Sequence, residues 1–274
     1  MDKISIFGGT GYIGSKFCEL YPEKSILIPR EKRNFETKDA LYFISTTTNQ
    51  NVFKNLYIDV NTNLIVLLEV LETCKNKNVI FNFVSSCFVY GNDVINAKET
   101  DCCNPTGFYS ITKRCAEQLI ISFCNTFDIK YRIFRVGNVY GLDPVVNTGK
   151  NVLGYMISLL KNNIDLNLYE GGNFLKDYIF VDDVCRAIDL LITSGELNQI
   201  YNISSSSSRT FREVIFAAKS IVSSTSKIID VKFPENQEYI QTKNMTLNTD
   251  KLKAFDFNCN MKFEDGLQIL CNMI

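Results

Sequence analysis

Residues 7–15 read Phe-Gly-Gly-Thr-Gly-Tyr-Ile-Gly-Ser and follow directly on the apolar run Ile4-Ser5-Ile6-Phe7. This segment limits the possible folds more than any other. Glycines at 8, 11 and 14, between a strand and a helix, permit a tight turn, let backbone approach a pyrophosphate and let the helix pack closely on the strand. The helix start then offers free N–H groups to the phosphates. In this strand–turn–helix setting the spacing predicts a dinucleotide-binding turn, with Gly8, Gly11, Tyr12, Ile13 and Gly14 as candidate cofactor-binding residues; a purely structural turn is the alternative.

The rest of the chain alternates in the same way. Apolar runs at Ser25–Ile28, Ala40–Ile44, Val79–Val84 and Tyr131–Phe134 read as strands, and helical spacing falls at 11–20, 60–75 and 108–127. Near-continuous apolar strands between helices imply a parallel sheet covered on both faces. After Gly141 the pattern loosens, with helices expected at 151–160 and 184–193, a strand at 178–181, and 199–203 returning to the sheet. Thr210-Phe211-Arg212-Glu213 fits a capping box, and Ser204–Ser208 before it reads as a polar loop. The expected fold is α/β, a Rossmann-like doubly wound parallel sheet with a smaller discontinuous C-terminal substrate lobe. Residues 1–145 and about 182–203 form the dinucleotide-binding core, and about 146–181 and 204–274 form the lobe.

Composition removes whole classes of chemistry. The chain has no histidine, so His-based nucleophile systems and His-ligated metals are excluded. Acid–base work near neutrality falls to tyrosine, lysine, cysteine or a shifted carboxylate. The ten cysteines include no C-x-x-C pair, and they read as reduced thiols serving as small apolar side chains, with no metal site expected. With 29 basic and 30 acidic residues, the net charge is −1, which gives no electrostatic pull toward nucleic acid or an anionic membrane. No apolar run reaches the length of a membrane span, and Met1-Asp2-Lys3 leads into the first strand without a signal-peptide pattern, so a cytoplasmic protein is expected.

Tyr109-Ser110-Ile111-Thr112-Lys113 lies on a predicted helix, where four-residue spacing puts tyrosine and lysine on one face. An ammonium there would lower the phenol's pKa toward the working pH and ready it to exchange a proton with an alcohol or ketone. Ser86 stands after a buried strand, at the carboxyl end where open α/β sheets bind ligands. Near the second strand, Pro29-Arg30 is followed by Glu31-Lys32-Arg33. Arg30 suits the 2′-phosphate of NADP(H), the favoured cofactor; NAD remains possible through Glu31, and a solvated basic loop is the plain alternative.

In Gly8–Gly14, Ser85-Ser86-Cys87-Phe88-Val89-Tyr90-Gly91, Tyr109–Lys113, Arg135–Gly141 and Lys176–Asp183, the chain resembles the extended short-chain dehydrogenase/reductases of the nucleotide-sugar epimerase/dehydratase group. The resemblance implies that Ser86, Tyr109 and Lys113 are catalytic, with Tyr109 and Lys113 also meeting the cofactor. It implies that Asn138, Asn151, Lys176 and Ser86 contact a nucleotide-sugar substrate, and that helices at about 60–75 and 108–125 build a homodimer. Lys176 stands where the family usually has arginine, and Asp59 where it commonly has asparagine. Dehydratases of the group carry Asp-Glu after the catalytic threonine, whereas Cys87-Phe88 follow Ser86 here; Cys87 reads as an inert neighbour. Only ten positions separate Arg30 from Ala40, where the family fits a helix and a strand. What remains is chemistry at one carbinol or ketone carbon, C4 of the sugar. The leading expectation is a 4-ketoreductase of a nucleotide-4-keto-6-deoxyhexose, followed by a UDP-glucose 4-epimerase-like enzyme holding NAD, and more remotely a non-catalytic dinucleotide-binding regulator.

Overall fold

The computed structural model of the chain describes residues 2–142 and 152–274. Strand Ile4–Phe7 (β1) is buried along its length and runs through the glycine turn into helix Tyr12–Leu20 (α1). Ser25–Ile28 (β2) and Asp39–Tyr42 (β3) flank β1, both parallel to it. Ile58–Val60 (α2), a π turn at Asn61–Ile65 and Val66–Glu72 (α3) follow as one helical run. Ile80–Ser86 (β4) is buried at every position, and Val94–Ala97 (β5) comes next. The long helix Phe108–Thr126 (α4) leads into Lys130–Val136 (β6) and Asn138–Tyr140 (β7). Beyond Val152–Lys161 (α5) lie Leu166–Tyr169 (β8), Leu175–Phe180 (β9), Val181–Ser194 (α6) and Gln199–Ile203 (β10). Ser208–Thr210 (β11), Phe211–Ile221 (α7), Ile228–Val231 (β12) and Met245–Leu247 (β13) complete the strands.

Six strands form the main sheet in the order β10-β6-β4-β3-β1-β2, with every pair parallel. Apolar side chains cover both faces, the arrangement that the unbroken hydrophobic runs require. Ile6, Phe17, Val184 and Ile188 belong to the core on one side, and Tyr42, Leu67, Phe81 and Ile120 to the core on the other. The fold is therefore the expected α/β parallel sheet, with β10 rejoining beside β6 as anticipated.

Between β2 and β3 no helix forms. Phe35 instead plugs the core with its ring edge-on to Phe7 at 5.7 Å. With nothing beyond it, β2 is the outer strand of the sheet, and Ile26 and Leu27 are left exposed.

A second sheet, ordered β11-β9-β13-β5 with β7 also on β9, stands beside the carboxyl ends of the main strands. Helical and strand periodicity give no sign of β5 or β13, which are four and three residues long and pair across about 150 positions of chain. The capping box at Thr210 is present in full: Glu213 N–H donates to the Thr210 hydroxyl, and the Glu213 carboxylate accepts from Thr210 N–H at 2.7 Å.

Candidate active site

The glycine turn after β1, the polar run Ser45–Thr48 after β3, Ser86 at the end of β4 and the first turn of α4 all lie at the carboxyl edge of the main sheet. In the turn, Gly8 has φ +78° and Gly11 N–H donates to Gly8 O at 3.0 Å. A Cβ on Gly14 would stand 2.4 Å from Gly8 O, and one on Gly8 2.9 Å from Ile44 N. No side chain caps the start of α1. This bare backbone cradle at a helix N-terminus fits a dinucleotide diphosphate. Gly14→Ala should force the turn open and weaken dinucleotide binding at least about tenfold, or ~1.4 kcal/mol; calorimetric titration with NADPH and NAD measures it, and unchanged affinity would remove the turn from the cofactor site. Tyr12 and Ile13 turn toward the protein, both packing against the core beneath the second sheet. Arg30 is solvent-exposed, and its carbonyl accepts from Arg33, which also pairs with Glu69 at 2.7 Å.

Ser86 and Tyr109 come together. Ser86 is the last residue of β4, and Tyr109, nine-tenths buried, occupies the first turn of α4 with its ring edge-on to Phe88 at 6.3 Å. Burial pushes the phenol up to about 12; the neighbouring Ser86 hydroxyl opposes this, while Cys87 and Asp59 add to it. The expectation that Lys113 lowers this pKa is thus corrected. The lysine ammonium donates to the Val84 carbonyl at 2.6 Å and sits 4.0 Å from the centre of the Phe83 ring, against β4. Burial brings Lys113 itself down to about 7, partly offset by Glu117. Helical spacing places both residues on one face, but the packing of α4 on β4 decides where the longer side chain ends.

Cys87 is buried, and its thiol is pushed up to about 12 by burial, with Lys176 opposing and Asp177 adding. At neutral pH it is a protonated thiol, which agrees with an inert neighbour. Lys176 spends its ammonium on the carbonyls of Thr242, at 2.6 Å, and Lys243. Its pKa is brought down to about 8 by burial. Asn138 donates to Asp177 O at 3.2 Å. Asn151 lies outside the described residues. The carboxylate of Asp177 ties three strands together, accepting from Ser208 at 2.5 Å and from Leu247 N–H at 2.8 Å.

Behind Tyr109 lies a polar cluster that, Asp59 and Thr112 apart, belongs to none of the sequence motifs. Asp59, Thr46, Asn51, Asn63 and Thr112 are joined by hydrogen bonds. The signal that could have found it is Ser45-Thr46-Thr47-Thr48, a polar run at a strand's carboxyl end in an otherwise apolar region. Asp59 does not cap its helix, since the N-cap position is Tyr57. Below the site, Glu117 accepts from both Nε and Nη2 of Arg135, at 3.1 and 2.8 Å, and from Ser85 at 2.6 Å.

Among the described residues no group of histidine, cysteine, aspartate or glutamate side chains could hold a metal ion, and no helix is long and apolar enough to cross a membrane.

Residues 47–204 match the NAD dependent epimerase/dehydratase family. Among curated proteins, a dTDP-D-glucose 4,6-dehydratase of Dictyostelium discoideum is 27% identical over 223 residues, 74% of this chain and 51% of that protein. The chain thus spans about half the length of that relative. Among solved structures, the UDP-glucose 4-epimerase of Thermus thermophilus in complex with NAD superposes with a TM-score of 0.87 at 21% identity, covering 98% of both chains. RMD from Pseudomonas aeruginosa, complexed with NADPH, superposes with a TM-score of 0.85 at 18% identity, covering 99% of this chain and 98% of that one.

Proposed function

The chain belongs to the NAD dependent epimerase/dehydratase family, and from that premise we propose that it is an NAD(P)-dependent oxidoreductase acting at C4 of a nucleotide-activated sugar, as a 4-ketoreductase of a nucleotide-4-keto-6-deoxyhexose. One observation carries the reading: Ser86 ends β4 and Tyr109 stands in the first turn of α4 at the same edge of the sheet, its ring edge-on to Phe88, while Cys87 and Phe88 fill the two positions after the serine. That pair can hold one oxygen and hand it one proton. A fully buried thiol and a phenyl ring are not the acidic pair that eliminating water calls for.

Gly8, Gly11 and Gly14 would hold the dinucleotide, Lys113 would meet its ribose by exchanging its bond to the Val84 carbonyl, and the bound group would supply hydride. Ser86 donates a hydrogen bond to the C4 oxygen and orients it. As negative charge grows on that oxygen, Tyr109 releases its phenolic proton to it, leaving an alcohol and a phenolate that is reprotonated from solvent. Asn138 and Lys176, at the junction of the two sheets, and Asn151 complete the proposed substrate contacts, with residues 146–181 and 204–274 as the substrate lobe. Exposed Arg30 supports NADP(H) over NAD. Exposed Ile65, Leu68 and Ile111 on the outer faces of the π turn, α3 and α4 support a homodimer through these helices.

A 4-epimerase holding NAD is the second reading. It is supported by the fold likeness to an epimerase bound to NAD over nearly the whole chain and by the fact that the same residues would serve. Freshly purified protein is denatured and its released nucleotides weighed by mass spectrometry; the folded protein is then given NADPH with nucleotide-4-keto-6-deoxy sugars. A fall in reduced-nicotinamide absorbance is expected. Co-purified NAD with interconversion of UDP-hexoses and no net redox change would transfer the assignment to the epimerase. Neither activity would overturn both.

A further inference from the structure

Asp59 is 1% exposed, and its two carboxylate oxygens differ in their surroundings. Oδ1 accepts from the Thr46 hydroxyl and from Asn51 Nδ2, the latter at 2.9 Å. Oδ2 is buried with no hydrogen-bond partner among the described residues. Leaving such an oxygen bare forfeits the hydrogen bonds it would make in water, so its retention calls for an explanation.

The carboxylate is wired to the residue that carries the chemistry. The Thr46 hydroxyl that donates to Asp59 also accepts from Asn63 Nδ2 at 2.9 Å. Asn63 Nδ2 reaches the Thr112 hydroxyl at 2.9 Å, and that hydroxyl points its proton between the carbonyls of Phe108, at 2.8 Å, and Tyr109, at 3.0 Å, in the first turn of α4. On the other side, the Asn49 side-chain oxygen accepts from the N–H and hydroxyl of Ser110. The first turn of α4 is thereby clamped to the segments that hold Asp59.

Resting on the oxidoreductase reading above, we propose that Asp59 is a positioning residue for Tyr109, holding its turn of helix in place and, through a carboxyl group buried behind it with one oxygen unpartnered, keeping the phenol in its proton-donating form. The groups that face the phenol are few. From β4 and the turn after it come the Ser86 hydroxyl and the Cys87 thiol, and from α2 comes Asp59. Cys87 is uncharged until about pH 12, which leaves Asp59 as the carboxyl group among those that raise the phenol. The stretches 49–53 and 61–65, also packed on α4, carry no charged side chain. Nearby cations are engaged elsewhere: Lys113 on Val84 O, Lys176 on the 242–243 carbonyls, and Arg114 and Arg135 on Glu117. A negative charge near a phenol opposes formation of the phenolate, so removing it must lower the pH at which Tyr109 ionises.

The test reads tyrosinate absorbance of the intact chain by stopped-flow pH jump, before alkaline unfolding, with a Tyr109→Phe chain subtracted to isolate this phenol. Asp59→Asn should move the Tyr109 midpoint down by about one pH unit, and Asp59→Glu, which keeps the charge, should leave it in place. Should the amide variant not fold, Asp59→Ser serves the same comparison. An unmoved midpoint in the uncharged variant, or an equal shift in Asp59→Glu, overturns the proposal. The titration needs no turnover, so it stands or falls apart from the assignment of substrate.

Discussion

With phenylalanine in place of Tyr109, ketone reduction is expected to slow by about 10²–10⁴-fold, the usual contribution of a positioned general acid. Dinucleotide affinity and thermal midpoint should stay near those of the native chain. The substitution removes one oxygen and leaves the ring, which keeps its edge-on packing against Phe88. The phenol is the acid in this site: no histidine exists, and the Cys87 thiol is fully buried among apolar side chains. Single-turnover rates of NADPH oxidation, with binding measured separately, check it. A variant that reduces substrate at the native rate would mean that the proton comes from elsewhere and that Tyr109 is only structural.

The second large effect concerns stability. Glu117→Ala is expected to destabilise the chain by about 3–5 kcal/mol, the cost of leaving a buried charge without its partner. Glu117 and Arg135 have side chains 0% and 1% exposed, and they meet through two parallel N–H···O bonds. Removing the carboxylate strands the guanidinium between Tyr90, whose ring centre lies 4.6 Å away, and β4, and takes away the acceptor of Ser85. Urea unfolding followed by circular dichroism gives the difference. The paired replacement Glu117→Leu with Arg135→Met should cost much less, because it removes both charges and fills the space. A loss below about 1 kcal/mol for Glu117→Ala alone, the range of exposed pairs, would refute the buried-pair account.

Local spacing made the glycine turn, the Tyr109–Lys113 helix, the strand ending at Ser86 and the capping box legible before any coordinates. Each is encoded within a few consecutive residues, where backbone permissiveness, helical repeat and side-chain reach act directly. Counting positions between Arg30 and Ala40 also exposed the shortened crossover, although not that Phe35 would fill the gap. The direction of Lys113 was not legible, because it depends on which carbonyl of β4 lies under α4 when the two pack. Lys176 likewise finds its acceptors 66 and 67 positions along the chain, beyond any periodic signal. Strands β5 and β13 escaped for the same reason: each is too short to declare itself and forms only against partners far along the chain. The Asp59 cluster assembles residues from 46 to 112, and only its strand-end location hinted at it.

The π turn at Asn61–Ile65 has a mechanical consequence. Val66 N–H bonds to Asn61 O, five residues back, so one surplus residue is stored in that turn. Downstream, Leu67, Val70 and Leu71 key the helix into the core; upstream, Asp59 is aimed at Thr46, as is Asn63 from within the turn itself. Excising that one residue would leave the downstream key seated and swing everything before it by about 100°, the angle per residue of an α-helix. The phase between hydrophobic anchor and polar cluster is thus fixed by a single inserted amino acid, and this stretch should tolerate substitutions far better than a change in length.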